Sequence, residues 1–387
     1  MKLTDACEFI IDCPHSTAED EGIGYPLIRT PNIGKGRLIL DGVHRVCEQV
    51  YNTRNKRGVP RDDDLVFARE APAGNVAIIK NGVRVCLGQR TVLLRPNKKI
   101  VDPDFLVYYL LAPNQQYGLL GTSNGATVAH VNIPVIRNLE IQLPDLSTQR
   151  KIACILSAYD DLIENNQRQI KLLEEAAQRL YKEWFVDLRF PGYEHTPIVD
   201  GVQEGWERKR LGDIADIVMG QSPKSEFYNQ KKDGLPFHQG VGSYGYRFVT
   251  DDIFSSTFTR IATKGSILFS VRAPVGRMNY TRNRIAIGRG LAAINSKTGL
   301  QSFLFYLLKD KYFKDDLIGN GSIFASITKD ELYGQIVIVP SPELANRFDE
   351  YAKSIDKKIE LLDLQIKTLS EARDRLLPKL MSGELEV

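Results

Sequence analysis

The sequence predicts an α+β chain built as a tandem repeat: two mixed α/β domains separated by two long antiparallel coiled-coil helices, the copies related by a pseudo-two-fold. Three observations carry that prediction. The segment SNGATVAHVNIPVIRNLEIQLP, ending at Pro144, returns as GNGSIFASITKDELYGQIVIVP, ending at Pro340, 196 positions later. Earlier in each copy, DLVFAREAPAGNVAII (64–79) matches SILFSVRAPVGRMNY (266–280), and DFLVYYLL (104–111) matches SFLFYLL (302–308). Two runs with helical character, 147–185 and 342–380, hold apolar side chains at a mean spacing of 3.5, the period of a coiled-coil seam rather than of an ordinary surface helix. A repeat of about 200 residues is far longer than a solenoid unit, so it marks two copies of one two-part unit.

The elements follow in order. Residues 1–146 form the first domain, a strand-and-turn region with β-branched runs such as VRVCLG and TVLLRP broken by Gly, Pro and Asn. The first helix spans 147–186, a linker rich in Gly, Pro and charge spans 187–206, the second domain spans 207–341, and the second helix spans 342–382. Ser147 and Ser341 are candidate helix N-caps. The first seam reads Leu156, Tyr159, Ile163, Asn166, Ile170, Leu173, Ala177, Leu180 and Trp184; the second reads Ala352, Ile355, Ile359, Leu362, Ile366, Leu369, Arg373, Leu376 and Leu380, each 196 positions further on. Asn166 and Arg373 break the apolar pattern, either as register-fixing polar residues or as imperfections of the seam. One such helix cannot bury its stripe alone, whereas two copies cover each other when packed antiparallel about a pseudo-two-fold. The expected result is a rod of roughly 50 Å, on the order of 15 base pairs of duplex.

Composition excludes several classes. A 43% hydrophobic and 26% charged chain is globular, and a net charge of +3 does not by itself announce a nucleic-acid binder. Cys7, Cys13, Cys47, Cys86 and Cys154 are odd in number and lack C-x-x-C spacing, which argues against a disulfide framework and for a reducing, cytoplasmic setting. No run reaches the ~20 apolar residues of a membrane span.

The stretch HQGVGSYGYR (238–247) contains a literal G-x-G-x-x-G at Gly240, Gly242 and Gly245. A dinucleotide fingerprint must open a helix after a strand, yet YRFVTDDIFSSTF follows it. The matching stretch of the first copy, YPLIRTPNIGKGRL (25–38), has Thr30-Pro31-Asn32 in place of Gly240-Val241-Gly242, so these glycines are expected to serve a turn and not a phosphate. No catalytic motif appears. The acidic runs Asp62-Asp63-Asp64, Asp160-Asp161 and Asp251-Asp252 show no nuclease companion, and the five histidines show no ligand spacing, so no metal site is expected.

What the loops offer instead is base-reading and phosphate-pinning chemistry. The first copy presents Arg29, Thr30, Asn32, Lys35, Arg54, Lys56, Arg57, Arg69, Gln89, Arg90, Thr91 and Asn124. The second presents Gln239, Gly242, Ser243, Tyr244, Tyr246, Arg247, Arg272, Arg277, Arg289, Asn320 and Ser322. Arg, Gln, Asn and Ser on turns, interleaved with Tyr, are the groups that contact base edges and phosphates. The frame is shared and the loop residues differ, as two readers of different sequences would.

With these features in view, the chain resembles the DNA-specificity (S) subunits of type I restriction-modification enzymes over nearly its whole length. The carriers are NGATVAHVNIPVIRNLEIQLPDLSTQRKIACILSAYDDLIENNQRQIKLLEEAAQRLYKEWF and its weaker counterpart from Asn320. The resemblance implies two target-recognition domains, each reading half of a bipartite, asymmetric site in double-stranded DNA. It implies helices that set the spacing and dock two methyltransferase subunits, with motor-nuclease subunits as further partners. It implies no catalysis and no cofactor on this chain, S-adenosylmethionine and ATP belonging to the partners. The second copy departs where Gln149-Arg150 becomes Ala345-Asn346, so different partner contacts are expected there. Two alternatives stay open at this stage: a self-sufficient methyltransferase or nuclease, which would bind S-adenosylmethionine itself, and a coiled-coil adaptor with two protein-binding heads, which would not bind DNA.

Overall fold

The computed structural model describes residues 1–121, 130–199, 202–312 and 326–387. It divides into two compact units, one formed by Met1–Asn165 with Gln365–Val387, the other by Asn166–Leu364. Each unit takes a strand-rich domain and a stretch of both long helices.

In the first unit five strands lie in the order Cys7–Asp12, Thr91–Pro96, Leu65–Ala68, Val76–Ile78, Gly36–Arg37. The first four pair antiparallel, and Ile10, Leu94, Leu65 and Ile78 stand side by side in register. The second unit repeats this with Ala215–Met219, Leu291–Ser296, Ile267–Ser270 and Met278–Tyr280, placing Ile217, Ile294, Ile267 and Tyr280 in the same row. Both rows are buried, against the helix Pro103–Leu111 in one unit and Gln301–Tyr312 in the other. Each fully buried aliphatic side chain contributes roughly 1.5–3 kcal/mol, so these rows and their helices are a substantial part of each core. A second small sheet also recurs, with parallel pairing of Tyr25–Ile28 on Cys86–Leu87 and of Leu235–His238 on Ile285–Ile287.

The shared A-P-x-G motif has a backbone reason. Ala71-Pro72 and Ala273-Pro274 are both cis, and Gly74 and Gly276 both adopt positive φ, +87° and +90°. The positive φ favours glycine at both places, and at Gly276 a Cβ would also lie 2.9 Å from Tyr312 Cβ.

The long helices span Leu146–Tyr181, followed by a π-helical turn at Lys182–Val186, and Pro342–Ser382. Their pairing is antiparallel within each unit. In the first, Lys151 Nζ reaches the carbonyl of Val387 and Arg373 pairs with Asp160. In the second, Trp184 packs on Phe348 and Tyr351 while Arg247 joins Glu174 to Asp356. All the seam positions, Asn166 among them, are buried or half-buried. Asp145, not Ser147, caps the first helix, its Oδ1 accepting from the amides of Ser147 (2.8 Å) and Thr148 (3.1 Å). Ser341 caps the second, its Oγ accepting from the Leu344 amide. Arg373 is no defect in the seam: half-buried itself, it supplies the cation for Asp160, which is 3% exposed.

The cysteines divide by environment. Burial pushes the Cys7 thiol up to about 12 and the Cys86 thiol to about 11, and raises Cys13 as well, while Cys154 is exposed. Because the thiolate is the nucleophile, a maleimide at about pH 8 is expected to label Cys154 first and Cys7, Cys13 and Cys86 only on unfolding. Peptide mass spectrometry with and without urea checks this.

Candidate nucleic-acid interface

The stretch 239–250 is a small hairpin. Tyr244 bridges Val249, the amide of Gly245 donates to the carbonyl of Phe248 (3.0 Å), and that of Thr250 donates to Ser243 (2.9 Å). Its one helical turn is a single 3-10 turn at Val241–Ser243, so the glycine triplet opens no α-helix. A Cβ on Gly240 or Gly242 would meet nothing within 4 Å, whereas one on Gly245 would press on the Phe248 carbonyl at 2.5 Å. Only Gly245 is demanded by packing.

The tip presents Gln239, Gly242 and Tyr246 to solvent. Arg272, Arg277 and Arg289 are exposed in the same unit, and Lys35, Lys56, Arg57 and Arg90 in the other. Arg90 pairs with Glu70 (2.8 Å) yet keeps 61% of its side chain exposed. Arg29, Gln89 and Ser243 are half-buried, with Gln89 Nε2 donating to the carbonyl of His15 (2.9 Å). Asn124, Asn320 and Ser322 lie outside the described residues.

Several expected contact residues prove to have internal tasks and are corrected. Asn32 is buried and donates to the carbonyl of Ile39 (3.2 Å) while its Oδ1 accepts from the Arg29 amide (3.2 Å), closing the turn that holds buried Thr30. Thr91 is buried with its hydroxyl on the Gly88 carbonyl (3.0 Å). Arg54 is buried and donates to the carbonyls of Leu87 (2.8 Å) and Ser16 (2.9 Å). Arg69 donates to Val131 O (2.9 Å) and pairs with Asp12 (3.2 Å). Tyr244 donates to Leu268 O (2.9 Å). Arg247 is 2% exposed. A buried polar group needs such partners, and these residues are frame rather than reading surface.

Ser243, His238 and Asp251 form a hydrogen-bonded row (2.7 and 3.0 Å). It has the residue types of a nucleophile, base and acid, but the imidazole is 1% exposed and the row ties the hairpin to its strand. Among the described residues no cluster of three or more His, Cys, Asp or Glu could hold a metal ion, and no helix is long and apolar enough to cross a membrane.

What sequence reasoning missed is the set of acids that anchor the loops to the helices. In the first unit Arg37 donates to Asp161 (2.8 Å), and Asp160 accepts from Tyr108 Oη (2.6 Å) and Arg373. In the second unit Arg247 donates to Asp356 (2.6 Å) and Glu174 (3.2 Å), Tyr306 Oη lies 3.3 Å from Asp356, and Arg282 pairs with Asp363. Burial first, and the neighbouring carboxylate second, push the Tyr108 phenol well above its ordinary range. Part of the signal was present in the repeat, where Asp160 corresponds to Asp356. Gln149 belongs to the same frame: it is 1% exposed, accepts from the Asp102 amide (2.9 Å) and donates to Pro144 O (2.8 Å). In the second unit Asp349 Oδ1 accepts from the Phe303 amide instead (2.8 Å), beside buried Ala345. The Gln149 departure therefore exchanges one internal tie for another.

A duplicated frame with unlike exposed loops, each tied to paired helices, defines a tandem-repeat protein of two divergent loop-bearing units. Comparison with known proteins gives the class its family. Residues 1–175 and 203–369 match the model for the type I restriction modification DNA specificity domain. The whole chain is 30% identical to the putative type I restriction enzyme MjaX specificity subunit of Methanocaldococcus jannaschii, over 93% of that protein. It is 27% identical to the MjaIX specificity subunit of the same organism, over 90% of this chain and 83% of that one. The crystal structure of a type I restriction-modification system S subunit from M. genitalium shares the fold at a TM-score of 0.54 and 17% identity, covering 98% of each chain. The chain belongs to the type I restriction-modification DNA specificity family, and its function is that of a specificity subunit.

Proposed function

We propose that the two strand-rich domains read the two halves of a bipartite, asymmetric site in double-stranded DNA. The single observation that carries this is the pairing of a shared frame with divergent exposed tips: Lys35 on one hairpin, Gln239, Gly242 and Tyr246 on the other. Base edges in the major groove present a distinct donor and acceptor pattern for every pair, which exposed Arg, Gln and Lys can read. The long helices set the separation of the half-sites and dock two methyltransferase subunits, and motor-nuclease subunits complete the assembly. The chain itself is non-catalytic, with S-adenosylmethionine and ATP carried by the partners, and it acts in the cytoplasm.

The test separates reading from anchoring. Gln239→Ala is expected to relax recognition at one half-site only, costing about 1–3 kcal/mol of discrimination there. Lys56→Ala should weaken all sequences alike and lower the salt slope by about one. Competition binding of the chain with its methyltransferase subunits, over single-base variants of the site and a salt series, checks both. If the two substitutions acted uniformly, the assignment of reading loops would be wrong.

A further inference from the structure

We propose that Arg247 is a positioning residue for sequence reading: it fixes the 239–250 hairpin on the two long helices, so that discrimination at one half-site depends on a side chain that cannot itself touch DNA. The inference rests on the reading of the hairpin as a DNA-contacting loop. Tyr246, immediately before Arg247, is 48% exposed, whereas the Arg247 side chain is 2% exposed. The backbone alternates outward to inward across one peptide bond, so the tip cannot shift without moving the guanidinium.

Three sets of contacts hold that arginine. Nη2 meets Asp356 of the second long helix and Nη1 meets Glu174 of the first, at 2.6 and 3.2 Å. The plane lies 3.6 Å from the ring centre of Phe305, and the rings of Tyr280 and Tyr306 flank it at 5.2 and 5.4 Å. The backbone carbonyl of Arg247 accepts from the Tyr280 amide (2.9 Å), which ties the hairpin to the edge of the four-stranded sheet. A planar cation with a fixed fork suits two carboxylates on different elements, and lysine could not satisfy both while stacking.

The other unit ties its hairpin to the first long helix by a different contact. In the matching hairpin Ile33 bridges Leu38 and the amide of Gly34 donates to Arg37 O (3.1 Å), as Tyr244 bridges Val249 and Gly245 donates to Phe248 O, so Gly36 holds the place of Arg247, and Phe248 that of Arg37. The Arg37 guanidinium goes to Asp161 on the first long helix. Beside it Gly36, at φ +99°, sits so close to that helix that a Cβ would lie 2.8 Å from Asp160 Oδ2. In each copy, then, an arginine of the hairpin ties the exposed tip to a long helix, Arg247 from a buried place and Arg37 from the position after the equivalent one. Reading groups must be held to within fractions of an ångström, and such supporting ties decide whether they are.

The experiment uses the full chain assembled with its methyltransferase subunits, acting on a duplex library randomised one position at a time through the recognised site. Arg247→Met keeps the length and the contact with Phe305 but removes the charge. The expected result is a loss of about tenfold in discrimination at the half-site read by the second domain, with the other half unchanged. Arg247→Lys should recover part of it. A merely structural role would lower methylation of all sequences in proportion and leave both profiles intact; that outcome, or an unchanged profile, overturns the proposal. If Arg247→Met does not assemble, Glu174→Gln removes only the longer ion pair and should show the same half-site effect more weakly; an unaltered profile there overturns the proposal too. If the unsubstituted complex shows no split motif at all, it is the reading of the loops that fails.

Discussion

An Arg373→Ala chain is expected to lose about 3–5 kcal/mol of stability, because it leaves a buried carboxylate without its cation. Asp160 is 3% exposed and holds two partners, Arg373 and the Tyr108 hydroxyl. Removing Arg373 strands the charge, whereas replacing both Asp160 and Arg373 by leucine removes charge and partner together. The double variant should therefore recover much of the loss, with only the Tyr108 hydroxyl left to find another acceptor. Both tryptophans, Trp184 and Trp206, belong to the second unit, so their fluorescence does not report this change directly. Hydrogen exchange over the helix Pro103–Leu111, which carries Tyr108, does. Loss of protection there under mild urea is the expected result, and equal protection in single variant and parent would show that the pair is dispensable.

The second large effect concerns recognition. Exchanging residues 1–144 for the matching segment of another family member should replace one half of the recognised motif completely and leave the other half as it was. Specific binding typically exceeds non-specific binding by about 10³–10⁷-fold, so the original half-site should fall to background. The junction at Pro144 precedes the helix cap at Asp145, and it leaves the Leu146–Tyr181 helix and the second domain unaltered. Sequencing of methylated bases in cells carrying the hybrid checks the outcome. A motif altered in both halves would mean that the domains do not read independently.

The repeat made most of this architecture legible. A period of 196 positions located both long helices, and the 3.5 spacing marked the seam positions, all of which the structure buries wholly or in part. The glycine triplet was legible by comparison between copies, since a phosphate loop could not tolerate Thr30-Pro31-Asn32 in its place. The loops were less legible, for a physical reason. An arginine on a turn has the same letter whether its guanidinium faces solvent or a buried carboxylate, and only tertiary contacts decide. Arg247, Arg54 and Arg69 turn inward, Arg272, Arg277 and Arg289 outward. Thr30, Asn32 and Thr91 were misread because short polar side chains on turns so often close the turn itself. Arg373 could be flagged from its place in the seam, but its partner Asp160 lies on the other helix, at a separation that no local pattern encodes.

The central claim is that this chain supplies a split, asymmetric DNA specificity, and a genome-wide map of methylated bases in the source cell, with and without its gene, tests it most directly. The account predicts one bipartite, non-palindromic motif that disappears on deletion and returns when the gene is restored. A methylation map unchanged by the deletion, while the partner methyltransferase is present and active, would contradict it.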